Sequence, residues 1–189
     1  MNEKTTTRIS KRLARHLRHA PEEIGIELSK DGWTDVTALL TALGITREQL
    51  DEVVVTNDKR RYAFDDTGTR IRASQGHTVA VELDLPVTTP PDTLYHGTVA
   101  KVLDAIMADG LRPMSRHDVH LSPDVPTAVR VGSRRGKPVV LAVDAGRMHA
   151  DGHLFRLSAN GVWLATHVPA TYLTVCVSPR PTNPDHSGR

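Results

Sequence analysis

Short arginine-rich clusters recur along this chain in separate places. In "RLARHLRHAP", residues 12–21, Arg15, Arg18 and His19 stand at i, i+3 and i+4, so a helix would put them in one neighbourhood. "NDKRRY" holds Lys59, Arg60 and Arg61, "TRIRASQGH" holds Arg70, Arg72 and His77, and "SRRGK" holds Arg134, Arg135 and Lys137. A guanidinium grips phosphate with two parallel N–H donors, which an ammonium cannot do. Basic residues before Pro21 also suit a helix C-terminus, where the macrodipole favours cations, and the first cluster taken alone reads as solvated charge. Its recurrence in several segments predicts a site for more than one phosphate.

Two further stretches carry polar chemistry on strand-like sequence. In "LYHGT", His96 ends a short strand and precedes Gly97, whose missing side chain lets a ligand approach the backbone. In "DVHLS", His120 and Ser122 are two residues apart and so share one strand face. Strand histidines in one half and arginines in the other imply a ligand that bridges both. A plain nucleic-acid-binding module would use the arginines and leave "LYHGT" unexplained.

Composition narrows the alternatives. The formal net charge of the 189 residues is only +2, so an anionic ligand must be met by local clusters rather than by a global field. The ten histidines are scattered, and no HxxxH or CxxC pairing gives a clean tetrahedral set; "RHDVH" and "RMHADGH" are weak clusters, and no metal is expected. The single cysteine, Cys176, lies in the apolar run "YLTVCVS" and is expected to be a buried, inert thiol. No apolar run approaches the roughly 20 residues of a membrane span, and "MNEKTTTRIS" lacks the apolar core of a signal peptide. The expectation is a cytoplasmic protein with no membrane partner, a monomer by default.

The elements that must position these residues follow from periodicity. Ile9, Leu13 and Leu17 make an apolar stripe, predicting a helix opened by Thr7 or Ser10 and closed by Pro21. A second helix follows "GWTD", capped by Thr34 or Asp35 and stopped by Gly44; a third starts at Thr46, where Gln49 has capping-box spacing. "RRYAF" and "TRIRAS" flank "DDTG" as a hairpin. Residues 82–93, "ELDLPVTTPPDT", read as a linker. Beyond it, "TLYHG", "DVHLSP", "KPVVLAVD", "LFRLS", "GVWLAT" and "YLTVCVS" read as strands, with helices at "VAKVLDAIMADG" and "PTAVRVGSRRG". The class is α+β, in two lobes, 1–81 and 94–177, with a tail at 178–189 expected to be disordered.

From about Ile9 to Leu173 the sequence resembles the RNA 2'-phosphotransferase family (Tpt1/KptA). The resemblance rests on "SKRLARHLRHAP", "GWTDVTALL", "NDKRRYAF", "IRASQGHTV", "LYHGT", "HLSPD", "VGSRRGKPVVL" and "NGVWLATHVPATYL", in the family's order and spacing. It implies an N-terminal winged-helix lobe and a C-terminal lobe of ADP-ribosyltransferase fold that binds NAD+. It also implies removal of an internal 2'-phosphate from RNA, of the tRNA splice-junction type, in two steps through a 2'-phospho-ADP-ribosylated RNA. The products would be 2'-hydroxyl RNA, ADP-ribose 1'',2''-cyclic phosphate and nicotinamide. By the same resemblance Arg18, His19, Arg61 and Arg134 are catalytic, the choice within Arg60/Arg61 and Arg134/Arg135 staying open. His96, Gly97, Thr98, His120, Ser122 and Val162 would bind NAD+, Val162 standing where protein-modifying relatives carry a glutamate. His77 and Arg116 would contact RNA phosphate. Two other readings stand beside this one: an ADP-ribosyltransferase that caps terminal phosphates of RNA or DNA, and a non-enzymatic winged-helix nucleic-acid binder.

Overall fold

The computed structural model describes residues 1–57 and 60–177. Helix α1, Glu3–His16, is opened by Asn2, whose side chain accepts the Thr5 N–H, and buries Ile9 and Leu13. It therefore begins before Thr7 and stops short of Pro21, because residues 17–20 leave the helix in a turn in which the His19 and Ala20 N–H groups both bond to the Arg15 carbonyl. Arg18 and His19 lie past the helix end rather than on its face with Arg15. Strand β1, Thr34–Asp35, runs directly into α2, Val36–Leu43; the Asp35 carboxylate caps it and Gly44, in the left-handed region, ends it. Helix α3, Arg47–Val55, has the capping box of Thr46 and Gln49 that the sequence predicts. The predicted hairpin is β2, Tyr62–Phe64, against β3, Arg70–Ala73, in the register Tyr62↔Ala73 and Phe64↔Ile71. β1 adds antiparallel to the other edge of β3. Leu13, Leu17, Leu39, Leu50 and Ile71 are fully buried between these helices and this sheet.

The strand-rich half begins with β4, Thr93–Val99, followed by a 3-10 turn and α4, Leu103–Asp109. Then come β5, Val119–Leu121; α5, Val125–Gly132, capped by Asp124 and continued by a 3-10 turn at Ser133–Arg135; and β6, Pro138–Asp144. Helix α6, Ala145–Ala150, is a further element that the sequence reading did not anticipate, formed where the Asp144 side chain accepts the Arg147 N–H at the end of β6. β7, Arg156–Leu157, β8, Trp163–Ala165, and β9, Leu173–Val177, complete the order. β6 lies between β4 and β9, antiparallel to both, and β5 pairs antiparallel with β8. Helices with small antiparallel sheets make this an α+β chain.

By internal contacts the chain divides into two compact units. The first comprises Met1–Val87, Pro113–Asp118 and Arg156–Val162; the second comprises Thr88–Arg112, Val119–Phe155 and the described part of Trp163–Arg189. Cys176, expected to be buried, is exposed: it lies on β9, an outer strand of its sheet, where the apolar run of the sequence meets solvent. Residues 178–189 and Lys59, named in the sequence reading, lie outside the described residues. Among the described residues no helix is long and apolar enough to cross a membrane.

In the second unit α5 packs on β4 with backbone against backbone. A Cβ at Gly97 would lie 1.9 Å from the Ala128 carbonyl oxygen and 2.9 Å from the Gly132 nitrogen. A Cβ at Gly132 would lie 2.8 Å from the Thr98 carbonyl oxygen. The missing side chain of Gly97 is thus used by the helix, which approaches to where a methyl would stand. Gly97→Ala is expected to destabilise the protein by about 2–4 kcal/mol in chemical denaturation. A loss below about 0.5 kcal/mol would contradict this close approach.

Candidate functional site

The first unit gathers a cluster of cations around Arg18. The turn that carries Arg18 is held from across the chain: its carbonyl accepts the N–H groups of Thr78 at 2.8 Å and Val79 at 3.3 Å. Its guanidinium carbon lies 6.0 Å from the ring centre of Tyr62, and Nη2 donates to the Arg61 carbonyl at 3.4 Å. Tyr62 is itself buried and anchored, its hydroxyl donating to the Ser10 carbonyl at 2.6 Å. Arg18 Nε is buried and has no hydrogen-bond partner among the described residues. Burial lowers the pKa of Arg18; Tyr62 opposes this, while the charges of Arg61 and Arg116 push the same way as burial. Among the described residues neither Arg18 nor Arg61 pairs with a carboxylate, whereas Arg15 is held by Glu23 and Arg70 by Asp65. The structure thereby separates Arg18 from Arg15, which the sequence spacing had grouped.

His19 and His77 sit in the field of these cations. The His19 Nδ1 lies 3.0 Å from Thr78 Oγ1. Its pKa is lowered by partial burial and then by Arg18, Arg116 and Arg15, so the ring is neutral at neutral pH. His77 is 3% exposed, and neither of its ring nitrogens has a partner among the described residues. Burial first, then Arg18, His117, His19 and Arg72, lowers its pKa to about 4. Arg61 and its neighbour are aligned by Ser74, whose N–H donates to the Arg61 carbonyl at 2.8 Å and whose hydroxyl donates to the Arg60 carbonyl at 2.7 Å. Arg116 joins this unit through the segment 113–118.

Arg18 and Arg61, without a carboxylate partner among the described residues and with the buried Arg18 Nε–H left unanswered there, make an arrangement that favours an anion. Desolvation makes each charge-assisted bond to such an anion stronger than it would be in water. Phosphate, with several acceptor oxygens, matches this donor set.

In the second unit β4 and β5 meet at one point, where Tyr95 and Ser122 exchange two backbone hydrogen bonds of 2.9 and 2.7 Å. This junction brings His96, Gly97 and Thr98 together with His120 and Ser122. His96 Nδ1 donates to the His120 carbonyl at 3.0 Å, which in the neutral ring leaves Nε2 as the acceptor. Thr98 and Ser122 are buried. Arg134 and Arg135 are exposed on the turn that continues α5. Val162 belongs to the first unit, where its N–H donates to Ser158 Oγ at 3.1 Å and its carbonyl accepts the Ser158 N–H at 3.0 Å. Sequence reasoning overlooked Tyr62, Ser74 and Thr78; the signal for all three was their adjacency to the quoted arginine and histidine motifs. Among the described residues no group of three or more His, Cys, Asp or Glu side chains is placed to hold a metal ion.

Comparison with known proteins gives one consistent result. Residues 4–167 match the family model described as RNA 2'-phosphotransferase, Tpt1 / KptA family. The chain is 61% identical over 178 residues to a probable RNA 2'-phosphotransferase of Streptomyces coelicolor, spanning 92% of this chain and 97% of that protein. A protein of the same description from Streptomyces griseus is 57% identical over 185 residues, covering 92% and 98% of the two chains. Another, from Nostoc punctiforme, is 51% identical over 178 residues, covering 92% and 98%.

The buried, neutral state of His77 has a consequence for acid stability. An unfolded histidine titrates near 6.5 and the folded one at about 4, so between these values the unfolded chain binds more protons. Stability is therefore lost as pH falls from about 6.5 towards 4, by on the order of 3 kcal/mol in total. His77→Leu, which removes both unpartnered nitrogens, is expected to flatten this limb of the stability profile and to cost little at pH 7. An unchanged acid limb in urea denaturation would show that His77 is not held neutral.

Proposed function

Because the chain belongs to the RNA 2'-phosphotransferase (Tpt1/KptA) family, we propose that it removes an internal 2'-phosphate from RNA with NAD+ as co-substrate, through a 2'-phospho-ADP-ribosylated RNA. The observation that carries this reading is the set of Arg18 and Arg61, uncompensated by carboxylates among the described residues, with the Arg18 Nε buried and unpartnered. A phosphate dianion is already nucleophilic, so it needs holding and aiming more than it needs a base. Arg18 and Arg61 hold it, with Arg116 adding charge. The same reading makes Arg134 of the second unit a catalytic residue, and assigns winged-helix and ADP-ribosyltransferase folds to the two units of a cytoplasmic monomer.

His19 is suited to moving a proton. Thr78 Oγ1 donates to the Arg18 carbonyl at 3.4 Å, so it accepts from His19 Nδ1–H, leaving Nε2 as the base. A neutral imidazole among arginines takes a proton from a hydroxyl and returns it to a leaving oxygen. Bound NAD+ would supply the C1'' electrophile, and its O2'' would then displace the RNA 2'-oxygen from phosphorus. The residues of the second unit fit such a nucleotide. His96 has its tautomer set by the His120 carbonyl, and Thr98 and Ser122 carry hydroxyls beside it. Val162, in the first unit, offers hydrocarbon rather than a carboxylate.

Incubation with a short RNA bearing one internal 2'-phosphate is expected to give 2'-hydroxyl RNA only when NAD+ is added. Arg61→Ala is expected to slow this by about 10²–10³-fold, and Arg15→Ala, whose side chain is occupied by Glu23, by less than about threefold. Conversion without NAD+ would overturn the reading. An ADP-ribosyl adduct as the end product would replace it with the capping reaction.

A further inference from the structure

Beside the Arg18 cluster the first unit contains a cavity of about 620 Å³, lined by Val54, Val55, Asn57, Arg60, Tyr62, Ala63, Ser74 and Ala159. That volume is within the roughly 300–1,000 Å³ of small-ligand pockets. Its walls are of two kinds. Val54, Val55, Ala63, Ala159 and the Tyr62 ring are apolar, and Val55, at the end of α3, is left 82% exposed. Arg60 supplies a guanidinium. Arg60 has φ +40°, a left-handed conformation that a long side chain rarely adopts, and its carbonyl is fixed there by the Ser74 hydroxyl.

The cavity is joined to the cation cluster by shared residues. Tyr62 lines it and also lies against the Arg18 guanidinium. Ser74 lines it and also holds the Arg61 carbonyl to which Arg18 donates. Whatever occupies the cavity is therefore a near neighbour of whatever anion Arg18 and Arg61 hold. Apolar walls with a guanidinium suit a nucleobase, whose faces stack and whose edge accepts hydrogen bonds.

Resting on the RNA-phosphate reading above, we propose that this cavity takes the base of the nucleotide that carries the 2'-phosphate. The enzyme thus reads that nucleotide by its base as well as by its phosphate. Arg60 then has a role distinct from that of Arg61: it contacts the base, while Arg61 contacts the phosphate.

The test is equilibrium binding without NAD+, using three short RNAs: one with a single internal 2'-phosphate, one with the same 2'-phosphate on an abasic ribose, and one with a 2'-hydroxyl. The phosphorylated, base-containing RNA is expected to bind about tenfold or more tightly than the abasic one. Ala159→Trp, an exposed position whose new ring would fill the cavity, is expected to abolish that difference while leaving abasic binding unchanged. Equal affinity of the wild type for the base-containing and abasic RNAs, with both preferred over the 2'-hydroxyl RNA, would overturn the cavity proposal alone. No preference for 2'-phosphate over 2'-hydroxyl would overturn the phosphate reading and the cavity proposal with it.

Discussion

The Arg18 guanidinium, buried and with no carboxylate to answer it among the described residues, is the constraint around which the first unit is organised. Arg18 is kept in place by its backbone and its neighbours: its carbonyl takes two N–H groups from residues 78–79 and its side chain leans on Tyr62 and the Arg61 carbonyl. Burying a charge without a partner is costly, and folding tolerates it where function gains from it. The early end of α1, the anchoring of Tyr62 on Ser10 and the double hold of Ser74 on residues 60 and 61 all serve this placement. Burial first, and then the same positive charge, lowers the pKa values of His19 and His77.

The second unit is ordered by a different constraint, the close approach of two backbones. Gly97 and Gly132 let α5 lie directly on β4, and the turn that carries Arg134 and Arg135 continues from that helix. The crossing of β4 and β5 at Tyr95 and Ser122 then sets His96 against the His120 carbonyl. Close packing of this kind fixes side-chain direction with little help from side-chain bonds. This packing depends on Gly97 and Gly132, where a Cβ would meet backbone.

Local signals were legible in the sequence, and long-range ones were not. Asp35, Thr46 and Gln49 announced their helix starts because capping involves neighbours in the chain. The hairpin of β2 and β3 was legible from alternation around "DDTG". The end of α1 was not, because the turn that replaces its last residues is tied to Thr78 and Val79, far along the chain. Helix α6 was hidden by its shortness and by starting directly at the end of a strand. The exposure of Cys176 was hidden because an apolar run reads alike on an outer and on a central strand. The motifs named the arginines, but only the structure separates Arg15, paired with Glu23, from Arg18.

The central claim is that the Arg18 guanidinium waits for a phosphate. Nitrogen-15 NMR of the arginine Nε–H groups, recorded as a 2'-phosphorylated RNA is added, tests it most directly. The account predicts that the buried Arg18 Nε–H signal shifts on adding this RNA and not on adding its 2'-hydroxyl counterpart, while Arg15 responds to neither. An Arg18 signal that ignores the 2'-phosphate, or that moves no more than that of Arg15, would contradict it.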